Sequence, residues 1–294
     1  MQLLRAATLT TSNVEKTATL YEEWLRYRTV ERGEIAEDAA SSWGTPGSVG
    51  RRYVLMQPES AASVYLRFVE GTPQPDYRPL RTYGWAAVEI CVRDVLEVNA
   101  RLERSPFEII GPPRELDGLP TIFPMQVKGP DEEILFLTQI RGDLPEYDLP
   151  RARSLIDRPF IAVLACSDLT ASLRWFERTV GLRPGREIEI IFTVLSSAFG
   201  LPPGQKHRLA TVAHERDCFM EFDQYPEGAT ARHGAPGELK PGVALVSLGH
   251  PDLDRVPGAW ITPPRPRSGL LYGGRRAGTL SAPDGSLVEL LELP

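Results

Sequence analysis

Two glutamates interrupt runs of apolar residues: Glu221 in CFMEFDQ and Glu289 in SLVELLE. Both segments are typical of β-strands, and a carboxylate inside such a strand needs a polar partner when it is buried. Two carboxylates that share a site away from water repel each other and lose hydration, so the pKa of at least one of them rises. Glu221 and Glu289 are therefore candidates for general acid/base catalysis if the fold brings them together.

His214 is the histidine best placed to join them. If the hairpin 207–224 turns at Arg216-Asp217, Val212 lies opposite Glu221. Residues two apart in a strand point to the same side, so His214 and Glu221 would then share a face. A shift of one residue would turn His214 to the other face, which leaves a strand-end histidine near solvent as the alternative.

Several other side chains could contact a ligand. The segment FTVLSSAFGLPPG (192–204) has glycine and proline hinges and is typical of a loop that covers a binding site, and packing at a domain or dimer interface is the alternative. Arg67 could anchor an anionic group or form a salt bridge with a neighbouring glutamate, and Arg275 could contact an acidic ligand or lie on the surface. The candidate ligand-binding residues are Tyr272, Arg275, Phe192, Phe199 and Arg67.

The strands and helices that position these residues recur along the chain. In the second half, a β-rich run at 160–166 precedes a helix predicted at 169–180, whose first turn Asp168 can cap. The first half shows the same pattern, with a strand predicted at 3–11, a helix at 13–26 and several strands after them. The chain thus contains roughly four strand–helix–strand–strand–strand units.

The two halves are also similar in sequence. TSNVEKTATLYEEWL resembles CSDLTASLRWFERTV, with Ser12 opposite Ser167 at an offset of 155 residues. GPDEEIL resembles APDGSLV, with Pro130 opposite Pro283 at an offset of 153 residues. Nearly constant offsets across a whole half indicate an internal duplication.

The opening CSDLTASLRWF and the ending PDGSLVELLE are similar to segments of the vicinal oxygen chelate superfamily, which includes glyoxalases, bleomycin-resistance proteins and extradiol dioxygenases. The resemblance covers nearly the whole chain. It implies an α+β fold of two tandem domains, built from four βαβββ units whose mixed sheets form cups. The polar segment 143–157 is then a linker between an N-terminal domain at 1–142 and a C-terminal domain at 158–294.

The resemblance also implies a metal site in each cup, with histidine on the first strand of a unit and glutamate on the last. In the N-terminal domain these positions carry residues that cannot bind a cation: Ala6, Arg67, Ala87 and Phe136. In the C-terminal domain the histidine positions fall on Ile161 and on Leu245 or Ser247, and the glutamate positions remain Glu221 and Glu289. We therefore expect no cofactor; if a divalent metal binds, Glu221 and Glu289 are its expected ligands.

Composition excludes several classes of function. A net charge of −6 with short, separated basic clusters does not favour nucleic-acid binding. Three scattered cysteines argue against a disulfide framework, and no apolar run approaches the roughly 18 residues of a membrane span. We also find no signal-peptide pattern at the N-terminus, so we expect a cytoplasmic protein with no membrane partner.

Three functional hypotheses follow. The first is a metal-independent enzyme, of isomerase or lyase type, that binds a small, largely apolar or aromatic, oxygen-bearing molecule in the C-terminal cup. The second is a non-catalytic protein that sequesters a drug or metabolite, as bleomycin-resistance relatives do. The third is a metal-dependent, dioxygenase-like enzyme with atypical ligands. A homodimer is compatible with each of them.

Overall fold

The computed structural model describes residues 3–116 and 118–294, which form four units of similar order. The first contains β1 (Leu4–Thr11), α1 (Val14–Leu25), β2 (Tyr27–Glu34), α2 (Glu37–Trp43), β3 (Arg52–Pro58) and β4 (Tyr65–Glu70). The second contains β5 (Gly84–Val92), α3 (Val95–Leu102), β6 (Glu108–Gly111), β7 (Ile122–Lys128) and β8 (Ile134–Ile140).

The third unit repeats the first, including its second short helix. It contains β9 (Ile156–Cys166), α4 (Leu169–Val180), β10 (Arg183–Ile191), α5 (Thr193–Phe199), β11 (Lys206–His214) and β12 (Asp217–Gln224). The fourth contains β13 (Val243–His250), β14 (Arg265–Pro266), β15 (Arg276–Ser281) and β16 (Leu287–Glu292). A single 3₁₀ turn at Leu253–Arg255 stands where the other units have a helix, in a stretch with several prolines.

The helix predicted at 169–180 is present with the expected caps. The Asp168 carboxylate accepts a hydrogen bond from the Ala171 N–H, and Gly181 ends the helix with a left-handed φ of 74°. Glycine adopts this left-handed backbone conformation at little energetic cost because it has no Cβ. In α1, the Asn13 side chain accepts from the Lys16 N–H in the same way. Local sequence therefore sets the ends of both long helices.

The duplication predicted from sequence has a direct structural counterpart. The carboxylate of Asp131 accepts hydrogen bonds from the backbone N–H and the hydroxyl of Ser12, at 3.0 and 2.8 Å. Asp284 does the same for Ser167, at 2.9 and 2.6 Å. In both halves the turn before the last strand thus binds the start of the long helix.

Each β-sheet combines one unit from either half of the chain. The first sheet has the order β14-β15-β16-β13-β1-β4-β3-β2, and the second has the order β10-β11-β12-β9-β5-β8-β7-β6. The joins are the antiparallel pairs β1–β13 and β5–β9. Neither half of the chain therefore forms a sheet of its own, and the segment predicted as a linker at 143–157 includes the start of β9. The domain bounds at 1–142 and 158–294 stay a prediction.

The two faces of each sheet have different roles. The helix-bearing faces of both sheets contribute to one continuous hydrophobic core, which includes Tyr21, Trp85 and Phe176. The opposite, concave faces carry separate clusters. We call the concave face of the first sheet the first cup and that of the second sheet the second cup. Within residues 3–116 and 118–294, no helix is long and apolar enough to span a membrane.

Candidate functional site

The second cup encloses a cavity of about 570 Å³. Helix α5 covers one side of it through Val194 and Ser197, and the segment between β8 and β9 adds Leu144 and Tyr147. A volume between about 300 and 1,000 Å³ is typical of sites for small organic molecules. The apolar side chains that line the cavity include Ile110, Ile122, Phe136, Ile161, Ile188, Phe192 and Leu209.

Glu89 and Glu221, on two strands of the second sheet, lie in the wall of this largely apolar cavity, which Glu146, Arg114 and Arg186 also line. Glu89 is on β5 and Glu221 is on β12, with β9 between them. In the strand register Glu89 lies opposite Ile161, and Glu221 lies opposite Val163. Two strand spacings and the two-residue offset along β9 separate the two backbone positions by roughly 12 Å, a distance that two glutamate side chains and a small ligand can fill.

Burial makes both groups hold their protons more tightly than usual. It raises the pKa of Glu89 from 4.5 to about 8, with a smaller contribution from repulsion by Glu221, while a hydrogen bond from the Thr138 hydroxyl acts in the opposite direction. The pKa of Glu221 rises well above its ordinary value because of burial and then the neighbouring Asp223 carboxylate. Burial likewise raises the pKa of Asp223 to about 7. Neutral pH therefore falls within the range in which these carboxyl groups exchange protons.

The prediction that Glu221 and Glu289 share one cup is wrong. Glu221 lies on β12 of the second sheet, whereas Glu289 lies on β16 of the first sheet. The error comes from the strand pairing: the third and fourth units do not lie side by side, because each pairs with a unit from the other half. The carboxylate that does share a cup with Glu221 is Glu89 from the second unit.

Glu289 is the centre of a hydrogen-bonded cluster in the first cup. Its side chain is fully buried, and it accepts hydrogen bonds from Trp43 Nε1 (2.9 Å), the Tyr272 hydroxyl (2.9 Å) and the Ser247 hydroxyl (2.6 Å). Arg67 Nη2 lies 3.6 Å from its second oxygen. Three hydrogen-bond donors and one cation surround this carboxyl group and stabilise it in the interior. Glu289 therefore has a structural role.

Arg67, at one of the positions where the resemblance implied a metal ligand, is held inside the first cup by hydrogen bonds. Its Nε donates to the Thr8 hydroxyl at 2.9 Å and its Nη1 donates to the Tyr272 hydroxyl at 2.7 Å. The guanidinium carbon also lies 4.6 Å from the centre of the Trp43 ring. Of the two interpretations of Arg67, the structure shows the salt bridge with a glutamate. The space that remains in the first cup is about 240 Å³.

Neither cup has residues that fit the metal implied by the superfamily. In the first cup the Arg67 guanidinium lies against Glu289, and a cation beside it would be repelled. In the second cup Glu89 and Glu221 face Ile161 and Phe136, which have no donor atoms. Among residues 3–116 and 118–294, no group of three His, Cys, Asp or Glu side chains could hold a metal ion. Because Glu221 and Glu289 lie in different sheets, they cannot bind one ion together.

His214 does not join Glu221, which corrects the register assumed from sequence. Thr211, rather than Val212, lies opposite Glu221, and His214 pairs with Asp217 at the end of the hairpin. A bulge between Val212 and Ala213 shifts the register beyond that point. His214 is the last residue of β11, which agrees with the alternative interpretation of a histidine at the end of a strand.

The remaining residues that were predicted to bind a ligand lie in different parts of the structure. Phe192 lines the cavity in the second cup and packs edge-on against Phe136 at 5.9 Å. Phe199 ends α5 and contacts Tyr225 instead, with ring centres 6.0 Å apart. Tyr272 belongs to the first cup, and Arg275 donates to the Tyr272 carbonyl oxygen at 2.8 Å.

Sequence reasoning missed Glu89 and Tyr147. Glu89 has the same signal as Glu221, since it is a single acid in the apolar strand WAAVEICV. Ala87, two residues earlier, faces the same side of this strand, so the pattern also indicates that Glu89 faces the cup. Tyr147 gave no signal, because it lies in a segment without periodicity that was interpreted as a linker.

Solved structures with a similar fold agree with this architecture. The crystal structure of glyoxalase I from Zea mays has a TM-score of 0.65 at 16% identity, covering 98% of this chain and 92% of that one. A putative dioxygenase from Bacillus subtilis has a TM-score of 0.64 at 13% identity, covering 99% of this chain and 85% of that one. No protein-family profile and no curated protein matches the sequence. The chain has the tandem fold of the vicinal oxygen chelate superfamily, which confirms the fold that the sequence resemblance implied.

Proposed function

We propose that the protein is an enzyme that binds a small, largely apolar or aromatic carbonyl compound in the second cup and moves a proton within it. Glu89 acts as the general base and Glu221 as the general acid. The observation that supports this function is the pair of carboxyl groups in the wall of one apolar cavity. The reaction would be an isomerisation or a related lyase step.

The two glutamates suit different roles. Glu89, with a pKa of about 8, is ionised in a useful fraction near neutral pH and can remove a proton from carbon. Glu221, whose pKa is raised well above its ordinary value by burial and by the neighbouring Asp223, holds a proton that it can deliver to a second position. The C–H bond breaks toward the carbonyl oxygen to give an enolate, and protonation at another carbon completes the isomerisation. Neither of these two proton transfers uses a metal ion.

Hydrogen–deuterium exchange at carbon tests the proposal directly. Acetophenone and 2-tetralone, as aromatic ketones of suitable size, are incubated with the protein in D₂O, and loss of the α-proton signal is followed by ¹H NMR. We expect exchange with the wild type and a loss of about 100-fold or more in Glu89→Gln, because exchange at a single α-carbon depends on the base that removes the proton. Glu97→Gln, on the exposed face of α3, is the matched control. Full exchange in the Glu89→Gln/Glu221→Gln double variant would refute the proton-transfer role.

A sequestering protein is the second candidate, because the apolar walls of the cavity would bind such a molecule without reacting with it. Binding and turnover separate the two functions. If the wild type binds the ketones, exchanges no protons and keeps its affinity in both glutamine variants, the sequestering function replaces the enzymatic one. The third candidate, a metal-dependent enzyme, predicts a stoichiometric metal in elemental analysis of the purified protein. The homodimer stays a prediction.

A further inference from the structure

Tyr147 lies in the segment between β8 and β9, and its side chain lines the cavity of the second cup. We propose that Tyr147 is a further catalytic residue, whose hydroxyl donates a hydrogen bond to the oxyanion formed on the substrate. This inference rests on the proposed function, because the oxyanion is the enolate that Glu89 would create. The geometry of the segment, the surroundings of the hydroxyl and its free hydrogen support it.

The segment that carries Tyr147 is fixed to the β11–β12 hairpin by one arginine. Arg216 Nε donates to the Asp148 carboxylate at 2.7 Å, and its Nη1 donates to the Pro145 carbonyl oxygen at 2.6 Å. The Asp148 N–H in turn donates to the Arg216 carbonyl oxygen at 2.8 Å. Tyr147 lies between these anchored residues, so its ring position is set by the hairpin that also carries Glu221.

The Tyr147 hydroxyl lies beside the candidate acid. Its oxygen is 2.8 Å from the Thr211 hydroxyl oxygen, and Thr211 is the strand partner of Glu221. Cβ atoms of directly opposed residues lie about 5 Å apart, so the hydroxyl groups of Tyr147 and Thr211 and the Glu221 carboxyl group form one polar patch in the cavity wall. Gly185 leaves room for this patch, because a Cβ there would lie 2.7 Å from the Tyr147 oxygen and 2.7 Å from Thr211 Oγ1.

A count of hydrogens shows what the patch can donate. Either hydroxyl can donate the hydrogen bond that joins them; when Thr211 donates it, the hydrogen of the Tyr147 hydroxyl remains for an oxygen in the cavity. During the proposed step, the electron pair of the C–H bond moves to the carbonyl oxygen while the proton goes to Glu89. A phenolic donor placed at that oxygen stabilises the negative charge without transferring its own proton.

An enolate analogue tests this role separately from binding of the apolar body. 4-Nitrophenolate carries a delocalised oxyanion on a planar ring, and nitrobenzene has a similar ring without the oxyanion. We would measure the affinities for both ligands by isothermal titration calorimetry in Glu89→Gln. The glutamine side chain is uncharged, as the Glu89 carboxyl group is after it has taken the proton. Thermal unfolding of each variant verifies that it is folded.

In the Glu89→Gln background, Tyr147→Phe should weaken 4-nitrophenolate binding by about 10-fold or more and leave nitrobenzene binding within about twofold. Gly185→Ala should have the same selective effect by displacing the hydroxyl. Tyr83→Phe, a partly buried tyrosine of the same hydrophobic cluster, is the matched control and should change neither affinity. An equal loss for both ligands, or no loss for either, overturns the assignment of Tyr147 and leaves the proposed function standing. Failure of the Glu89→Gln protein to bind either ligand would refute the cavity as the site, and both proposals with it.

Discussion

Trp43 Nε1 donates a hydrogen bond to Glu289 Oε1 at 2.9 Å, joining the end of α2 to the last strand of the chain. The equivalent helix in the third unit, α5, ends with Phe199, and both helices are followed by a left-handed glycine. Trp43 fills the first cup, but Phe199 turns toward Tyr225 and leaves the second cup open. Trp43 thus lines the first cup together with Arg67 and Tyr272, whereas its counterpart Phe199 does not line the cavity of the second cup.

Replacing Trp43 by Phe should destabilise the protein by about 2 kcal/mol, because the buried Glu289 carboxylate loses a charge-assisted hydrogen bond while most of the packing stays. Urea unfolding followed by circular dichroism measures this change. Trp24→Phe, on the partly exposed side of α1, is the matched control and should change stability much less. A cost below about 0.5 kcal/mol for Trp43→Phe would contradict the role given to this hydrogen bond.

Replacing Arg67 by Met should cost about 3–5 kcal/mol, since it leaves the buried Glu289 without its cation. Adding Glu289→Gln to this variant should restore at least half of the lost free energy of unfolding. The neutral amide oxygen still accepts the bonds from Trp43 and Tyr272, and no buried charge remains. If the second substitution makes the protein less stable instead, the ion pair does not explain the cost of the first.

The protein should become less stable as the pH rises, because of Glu89. Its folded-state pKa of about 8 exceeds the ordinary 4.5, so the stability that it contributes is fully present below pH 4.5 and is lost as the pH rises through 8. Between pH 5.5 and 8.5 the loss should be on the order of 3 kcal/mol. Glu89→Gln should reduce the pH dependence by this amount, and Glu97→Gln should not. Equal pH dependence in the Glu89→Gln variant and the wild type would show that Glu89 titrates normally.

The two turns that bind Ser12 and Ser167 should differ in strength despite their common origin. Asp131 and Asp284 each accept two hydrogen bonds from a serine. Asp131 accepts two more, from the hydroxyl groups of Thr11 at 2.6 Å and Thr17 at 3.1 Å. Asp131→Ala should therefore cost about 2 kcal/mol and Asp284→Ala about 1 kcal/mol. Chemical denaturation of both variants measures the difference, and a larger cost for Asp284→Ala would contradict the hydrogen-bond count.

The fold could be predicted because its signals are local. Helix caps such as Asp168 and the repeated turn at Asp131 and Asp284 can be read from short segments. The combination of units could not be predicted in the same way, because the pairs β1–β13 and β5–β9 join strands that are distant in sequence. Sequence similarity between the halves gives no information on which unit pairs with which.

The candidate site could be predicted only in part. Glu221 was found because it interrupts an apolar strand, and its partner Glu89 was not, although WAAVEICV has the same pattern. Ala87 and Glu89 lie two residues apart on β5 and face the same cup, so the alternation of the strand also places Glu89 there. His214 could not be placed in this way, because its face depends on a bulge between Val212 and Ala213 that no local pattern indicates.

Carbon-13 NMR of the glutamate carboxyl groups tests the central claim, that the second cup holds two acids with raised pKa values. The protein would be labelled at the glutamate side-chain carboxyl carbons and titrated, with signals assigned from Glu89→Gln and Glu221→Gln. The structure predicts that the Glu89 signal titrates near pH 8 and that the Glu221 signal titrates well above 4.5. If both signals titrate near 4.5, the carboxyl groups are exposed to water, and the proposed acid/base site does not exist.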